Sequence, residues 1–365
     1  MEKIFARLSW LSATTLLLVL LATLYVLYIQ AKPAMNEFGW QFVLDPRWGV
    51  DVIVDETGNE VHGSHDEASD VDSGGVVRLD MGDDEDAIPM EDETATGQPE
   101  LAEGDLDGEA IDEEIPMEDE TATGQDELAG EAKTSNIRVV YGGLVPIVGT
   151  VLSTLIAMAF AVPLAMGIAV FLSEISIDGL KTPVGVAIEL LAAIPSIIYG
   201  MWGLFFFGPL VAHVFGGSSV SLLVAGLVLG VMVIPFMAAL SRDAINTTPN
   251  VLKESAYAVG ATRFEVVKDI IFPYARTGIL GSIIISLGRA LGETMAVAFV
   301  IGGVYKLAEH ITDPTISIPV ALANNFAESS GLSLASLYYL AFILFVVSFV
   351  IIFTAKEFLL RRSKY

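Results

Sequence analysis

The sequence predicts an all-α, polytopic membrane protein of six transmembrane helices, interrupted once by an acidic extracytoplasmic insert. Long apolar runs recur along a chain that is 53% hydrophobic with a mean hydropathy of +0.62. The formal charge of −26 is confined to one stretch: residues 51–135 hold 30 of the 45 acids and only two bases, Arg78 and Lys133. That stretch carries −28, and the rest of the chain carries +2. Finally, Lys and Arg divide unevenly between the loops, twelve on one side of the spans and four on the other, the insert left out. By the positive-inside rule both termini are cytoplasmic and the insert lies outside.

The three regions in chain order are residues 1–50, the insert 51–135, and a core 136–365. The first span, Leu8–Ile29, follows Lys3 and Arg7. Ala31-Lys32-Pro33-Ala34 after it would suit a cleaved signal peptide. The apolar run is about 22 residues, however, against about 7–15 for a signal core, so it reads as a retained span.

The insert is rich in Asp, Glu, Gly and Thr and almost without aromatics. Such a segment cannot bury enough surface to offset chain entropy, so it reads as disordered. Ile88–Gln98 recurs as Ile115–Gln125, a duplication too short for a solenoid, which takes about three repeats. Glu103, Asp105, Asp107, Gly108 and Glu114 approach the spacing of a calcium loop. Position one is Glu instead of Asp and no amphipathic helix flanks the loop, so diffuse cation binding is the better reading. His62 and His65 are a weak metal signal. With no cysteine in the chain, disulfides, thiolate metal sites and a lipoprotein anchor are excluded.

The core begins with spans at Val145–Leu172, Val184–Val211 and Val220–Leu240. A long inner loop, 241–273, follows. Pro249 suits a first helical position with Thr248 as its cap, and Gly260 stops the resulting helix. Thr262-Arg263-Phe264-Glu265 is a capping box for a second short helix, and Pro273 follows it. Two capped helices around a glycine make a rigid docking element carrying Lys253, Glu254, Arg263 and Lys268.

The fifth span reads as Thr277–Val300 and contains Gly288-Arg289-Ala290-Leu291-Gly292-Glu293-Thr294. Arg289 falls near its middle, and an Arg and a Glu four apart share a helix face. Ionisable groups at that depth are costly unless they are paired or face a polar cavity, and an arginine fork suits an oxyanion. The plainer reading is a self-neutralising ion pair that fixes helix packing. The sixth span is Leu334–Leu359.

Glu254-Ser255-Ala256, Gly260 and Ile271-Phe272-Pro273 resemble the EAA loop of bacterial ABC importer permeases, with Ser255 where Ala is usual. Phe38–Phe42, Asp45–Trp48, Glu189–Gly203 and Gly288–Val297 resemble PstC-type phosphate permeases. The resemblance spans residues 1–50 and 136–365. It implies the ABC type I importer permease fold and a complex with a PstA-like permease, two PstB-like ATPases and a PstS-like phosphate-binding protein. It also implies a phosphate path through Arg289, Glu293 and Thr294, and ATPase coupling through Glu254, Ser255, Ala256, Gly260 and Pro273.

In that reading Arg289 contacts the oxyanion in passing and Glu293 keeps it from binding too tightly. Glu189 is expected to pair with a donor on a neighbouring helix or subunit. Pro195, Gly200 and Gly203 break or thin the third span. The chain has no Gly-rich phosphate loop ending in Lys-Ser/Thr, so ATP chemistry falls to a partner and the chain is no enzyme. No cofactor and no nucleic acid partner are expected. A sulfate or molybdate permease shares the shorter Arg-x-Leu-Gly-Glu run and is the first alternative. A membrane-anchored acidic cation-binding or adhesion protein is the remote one.

Overall fold

The computed structural model describes residues 2–54, 136–176 and 178–361, and within them the chain is mainly helical, with one small ribbon and connecting coil. Helix α1 (Glu2–Phe38) is followed by a short α2 (Gln41–Leu44). Strands β1 (Trp48–Val54) and β2 (Asn136–Tyr141) pair as a two-stranded sheet. Trp48, at the start of β1, meets Tyr141, at the end of β2, edge-on at 5.2 Å, so the strands run antiparallel. The ordered ribbon therefore takes in the first four residues assigned to the insert. The repeat, His62, His65 and the calcium-like Glu103, Asp105, Asp107 and Glu114 lie outside the described residues.

Next comes α3 (Leu144–Val170), extended by a π-helical turn through Ile175. Helix α4 (Asp178–Ala193) is separate from α5 (Ser196–Trp202), which continues through a π turn into α6 (Gly208–Phe215). After α7 (Leu222–Asn246) come α8 (Asn250–Ala258), α9 (Arg263–Glu265) and a π stretch, Val266–Ile271, leading into α10 (Phe272–Leu291). The chain closes with α11 (Met295–Ala298), α12 (Ile318–Asn325) and α13 (Gly331–Arg361).

Six helical stretches are long and apolar enough to cross a bilayer: Trp10–Phe38, Leu144–Ile175, Ser196–Phe215, Leu222–Asn246, Arg263–Leu291 and Gly331–Glu357. Two differ from the sequence expectation. The third begins at Ser196 instead of Val184, because Pro195 adopts ψ 139° and ends the helical path from α4. Glu189 thus sits exposed on α4, outside that span. The fifth is Arg263–Leu291 and not Thr277–Val300. Pro273 does not terminate the second loop helix: it lies in the first turn of α10, where its missing N–H costs nothing, and the path runs through it.

The centre of the bundle is the α3–α7 pair. Ala157, Ala161, Ala165 and Ala169 recur every fourth residue on α3 and are wholly buried, as are Val224, Val228 and Val233 on α7. In lipid no hydrophobic force drives helices together, so small residues that admit close backbone approach hold them by dispersion. Gly226 and Gly230 supply that approach, against Ile156 and Phe160. Gly149 packs so closely that a methyl there would lie 2.1 Å from the Ile316 carbonyl oxygen. At the next residue, Thr150 Oγ1 accepts the Ile318 amide at 2.8 Å. These contacts clamp the loop before α12 to the ribbon end of α3. On that same face Trp48 stacks on Tyr305 at 5.1 Å, and Asp45 pairs with Arg47 at 2.7 Å.

Candidate functional site

Arg289 is in the last turn of α10, which ends at Leu291, so Arg289 and Glu293 do not share a helix face as their spacing predicts. Gly292, at φ −96° and ψ 4°, takes the chain out of the helix. The depth of Arg289 in the bundle is nonetheless close to the one expected. Its guanidinium lies 5.7 Å from the Phe236 ring centroid on α7. Phe236 lies fourteen residues after Leu222, about 21 Å along the 25-residue α7 at ~1.5 Å per residue. Beyond the break, the Val300 carbonyl accepts the Ser221 amide at 2.8 Å, at the very start of α7. The chain therefore stops its helix about midway and climbs the remaining depth as α11 and coil. Non-helical backbone at such a depth is tolerated where protein or a cavity surrounds it, and half-helix ends of this kind recur at transporter binding sites.

Glu293 and Thr294 build the turn itself. Glu293 Oε1 accepts the Ala296 amide at 3.2 Å, and the Thr294 carbonyl accepts the Ala298 amide at 2.9 Å. Both residues are half-buried, and the Arg289 side chain is exposed. No ion pair links Arg289 to Glu293 among the described residues. The self-neutralising pair is thus absent, and the guanidinium is held over an aromatic face with its N–H fork uncommitted to a carboxylate. A cavity of about 520 Å³ touches the turn at Gly292 and Thr294, with Leu27, Phe326 and Tyr338 among its walls. Its lining is apolar and includes neither Arg289 nor Glu293, so this cavity offers no charged side chain of the break.

The second candidate region is the loop element at the opposite end of α7. Thr262 and Glu265 form the expected capping box: the Thr262 amide donates to Glu265 Oε2 at 2.7 Å, and the Glu265 amide to Thr262 Oγ1 at 3.4 Å. Gly260 closes α8 at φ +94°, a left-handed conformation that favours glycine. Thr248 does not cap α8. Pro249 takes the cap position without a side-chain bond, and the Thr248 hydroxyl is buried without a partner.

Glu254 is exposed, Ser255 donates its hydroxyl back to the Val251 carbonyl at 2.7 Å, and Ala256 packs against a second small core. That core joins the ends of α3, α7 and α10 through Ala169, Ile245, Val266, Ile271 and Ala275. One partner was not foreseen from sequence. Lys253 pairs with Glu174, in the π turn ending α3, and the two side chains are only 14% and 12% exposed. They are 79 residues apart, so no local spacing rule relates them.

The family model described as binding-protein-dependent transport system inner membrane component matches residues 143–363. That range takes in every element from α3 to α13. A relative from Pasteurella multocida, a phosphate transport system permease protein PstC, is 46% identical over 244 residues, 61% of this chain and 76% of that one. A PstC protein of Xylella fastidiosa is 45% identical over 244 residues, 61% and 75% of the two chains. A probable PstC of Methanocaldococcus jannaschii is 36% identical over 231 residues, 58% and 73%.

Proposed function

The chain belongs to the family of binding-protein-dependent transport system inner membrane components, and from that premise we propose that it is the permease subunit of an ATP-driven importer of inorganic phosphate. It spans the membrane several times and leaves ATP hydrolysis to partner ATPases. The observation that carries the substrate class is Arg289, a guanidinium at mid-depth beside a helix break with no carboxylate paired to it among the described residues. A bidentate donor fork suits a tetrahedral oxyanion, and an unpaired one is available to it. Glu293 and Thr294 shape the turn that presents it.

The positive-inside bias puts α8 and the capping-box helix in the cytoplasm and the ribbon outside. A second, PstA-like permease completes the path, two PstB-like ATPases receive α8 through Glu254, Ser255 and Ala256, and a PstS-like protein delivers phosphate from outside. ATP-driven closure of the ATPases moves α8, the two permeases rock, and phosphate passes Arg289 to the inner side. The apolar cavity beside Thr294 faces lipid or the partner permease and takes no part in anion contact.

The test is uptake of radiolabelled phosphate by starved cells carrying the wild type or Arg289→Ala, with excess sulfate or molybdate as competitor. Uptake that resists both competitors and collapses in the variant is the expected result. Competition by sulfate or molybdate would reassign the chain to another oxyanion. Full uptake by the variant would remove Arg289 from the path.

A further inference from the structure

Helix α8 is weakly held by apolar contact. None of its nine residues is buried. Its two inward positions are Lys253 and Ala256, three apart and therefore on one face. Ala256 offers a single methyl to the second core. Lys253 offers a charge, and that charge meets Glu174 in the π turn that closes α3. A nearly buried ion pair is costly to assemble and more costly to leave half-made, so each charge holds the other in place.

Helix α3 in turn runs without interruption from that turn to Leu144, packed along α7 for its length. At its far end Gly149 and Thr150 clamp the loop before α12. Among the described residues the side-chain ion pair that ties α8 to the spans is Lys253–Glu174, and it sits on the end of the rod reaching the opposite face.

We propose that the Lys253–Glu174 pair is the joint through which α8 moves α3, so that it sets how much phosphate crosses per ATP hydrolysed. The proposal rests on the permease reading given above. Lys253 and Glu174 touch no substrate; they are positioning residues. The single methyl of Ala256 offers little resistance to α8 being drawn away from the spans, whereas the nearly buried ion pair resists it strongly. Without the pair, α8 would follow its ATPase while α3 lagged.

The experiment uses the complete transporter, with both permeases, the ATPases and the binding protein, in proteoliposomes. ATP hydrolysis and radiolabelled phosphate uptake are measured on the same preparation for wild type, Lys253→Met, Glu174→Gln and the exchanged pair Lys253→Glu/Glu174→Lys. The expected result is a fall of roughly tenfold in phosphate moved per ATP for each single variant, the scale of an ordinary intersite coupling. The exchanged pair is expected to recover most of the ratio. A purely structural role would lower hydrolysis and uptake together and leave the ratio unchanged, which would overturn the proposal. So would an exchanged pair that assembles but stays as uncoupled as the single variants. A wild-type complex that hydrolyses ATP and imports no phosphate would instead overturn the transport reading, and the joint with it.

Discussion

At the residue scale, the charges of this protein divide by what each one faces. Arg289 rests on an aromatic ring and leaves its donor fork open, so truncation to Ala is expected to cut phosphate uptake roughly ten- to a hundredfold, the range of a lost charged hydrogen bond. Arg289→Lys is expected to recover only part, since an ammonium cannot grip two oxygens in a fixed plane. Glu293 can be divided into its two roles. Gln keeps an oxygen for the Ala296 amide and removes the charge, so Glu293→Gln is expected to fold normally and slow turnover. Unchanged turnover would leave Glu293 with the turn alone.

Asp45 answers to pH. Its hydrogen bonds with Arg47 hold its carboxyl below the ordinary value of 3.8, so the folded state binds its proton more weakly than the unfolded chain does. The stability this adds is fully present above that ordinary value and disappears as pH falls through the lowered one. Wild type is therefore expected to unfold at a higher temperature than Asp45→Asn from pH 5 to 8, with the gap closing below about pH 4.

At the scale of the element, the same local rules that made the loop readable also show where reading stopped. Thr262 and Glu265 are three apart and need only each other, so the capping box was legible before any fold was known. Thr262→Ala is expected to lower stability by about 1 kcal/mol, measured by thermal unfolding in detergent. The end of α10 was not legible. Ala296 to Ile301 is as apolar as the helix before it, so hydropathy runs on while Gly292 ends the hydrogen-bonded path. Gly292, Glu293 and Thr294 are the available signal, but the four-residue spacing of Arg289 and Glu293 also suits a helix and masks it.

Pro273 shows how position decides a proline's effect, since in a first turn it permits the helix that it forbids one turn later. Lys253 and Glu174 meet only because α3 and α8 end on the same face, a fact of topology that no window of sequence holds. Gly149 shows the energetic side of such long-range contact. Ala is the better helix former by about 1 kcal/mol. Its methyl would nevertheless press on the Ile316 carbonyl, so Gly149→Ala is expected to destabilise by about 1–3 kcal/mol in the same unfolding assay.

At the scale of the whole molecule, charge and transport machinery are kept apart. The family match, the helix break and the loop element all lie C-terminal to the ribbon, and all but the first four residues of the −28 stretch lie between its strands in sequence. A field of that sign opposes an incoming anion but is screened beyond about 8 Å at physiological salt. Replacing residues 55–135 by a short turn is therefore expected to leave phosphate uptake intact, whereas a chain whose purpose was cation binding would lose its activity. The fold class could be read from one chain, and so could the position of Arg289 near the middle of the bundle. What meets Arg289 at that depth could not, because Phe236 stands on another helix, α7, far away in sequence.

The antiparallel ribbon has a bearing on how this gene can change. Because β1 and β2 lie side by side, the chain leaves the core and returns to it about 5 Å away, whatever number of residues it spends in between. Additions there alter no spacing within the core, and the copied Ile88–Gln98 segment is an addition of that kind. Mutation can thus lengthen, shorten or recharge this one stretch with the rest of the protein held constant, and the same doorway would accept a reporter domain whose own ends lie close together.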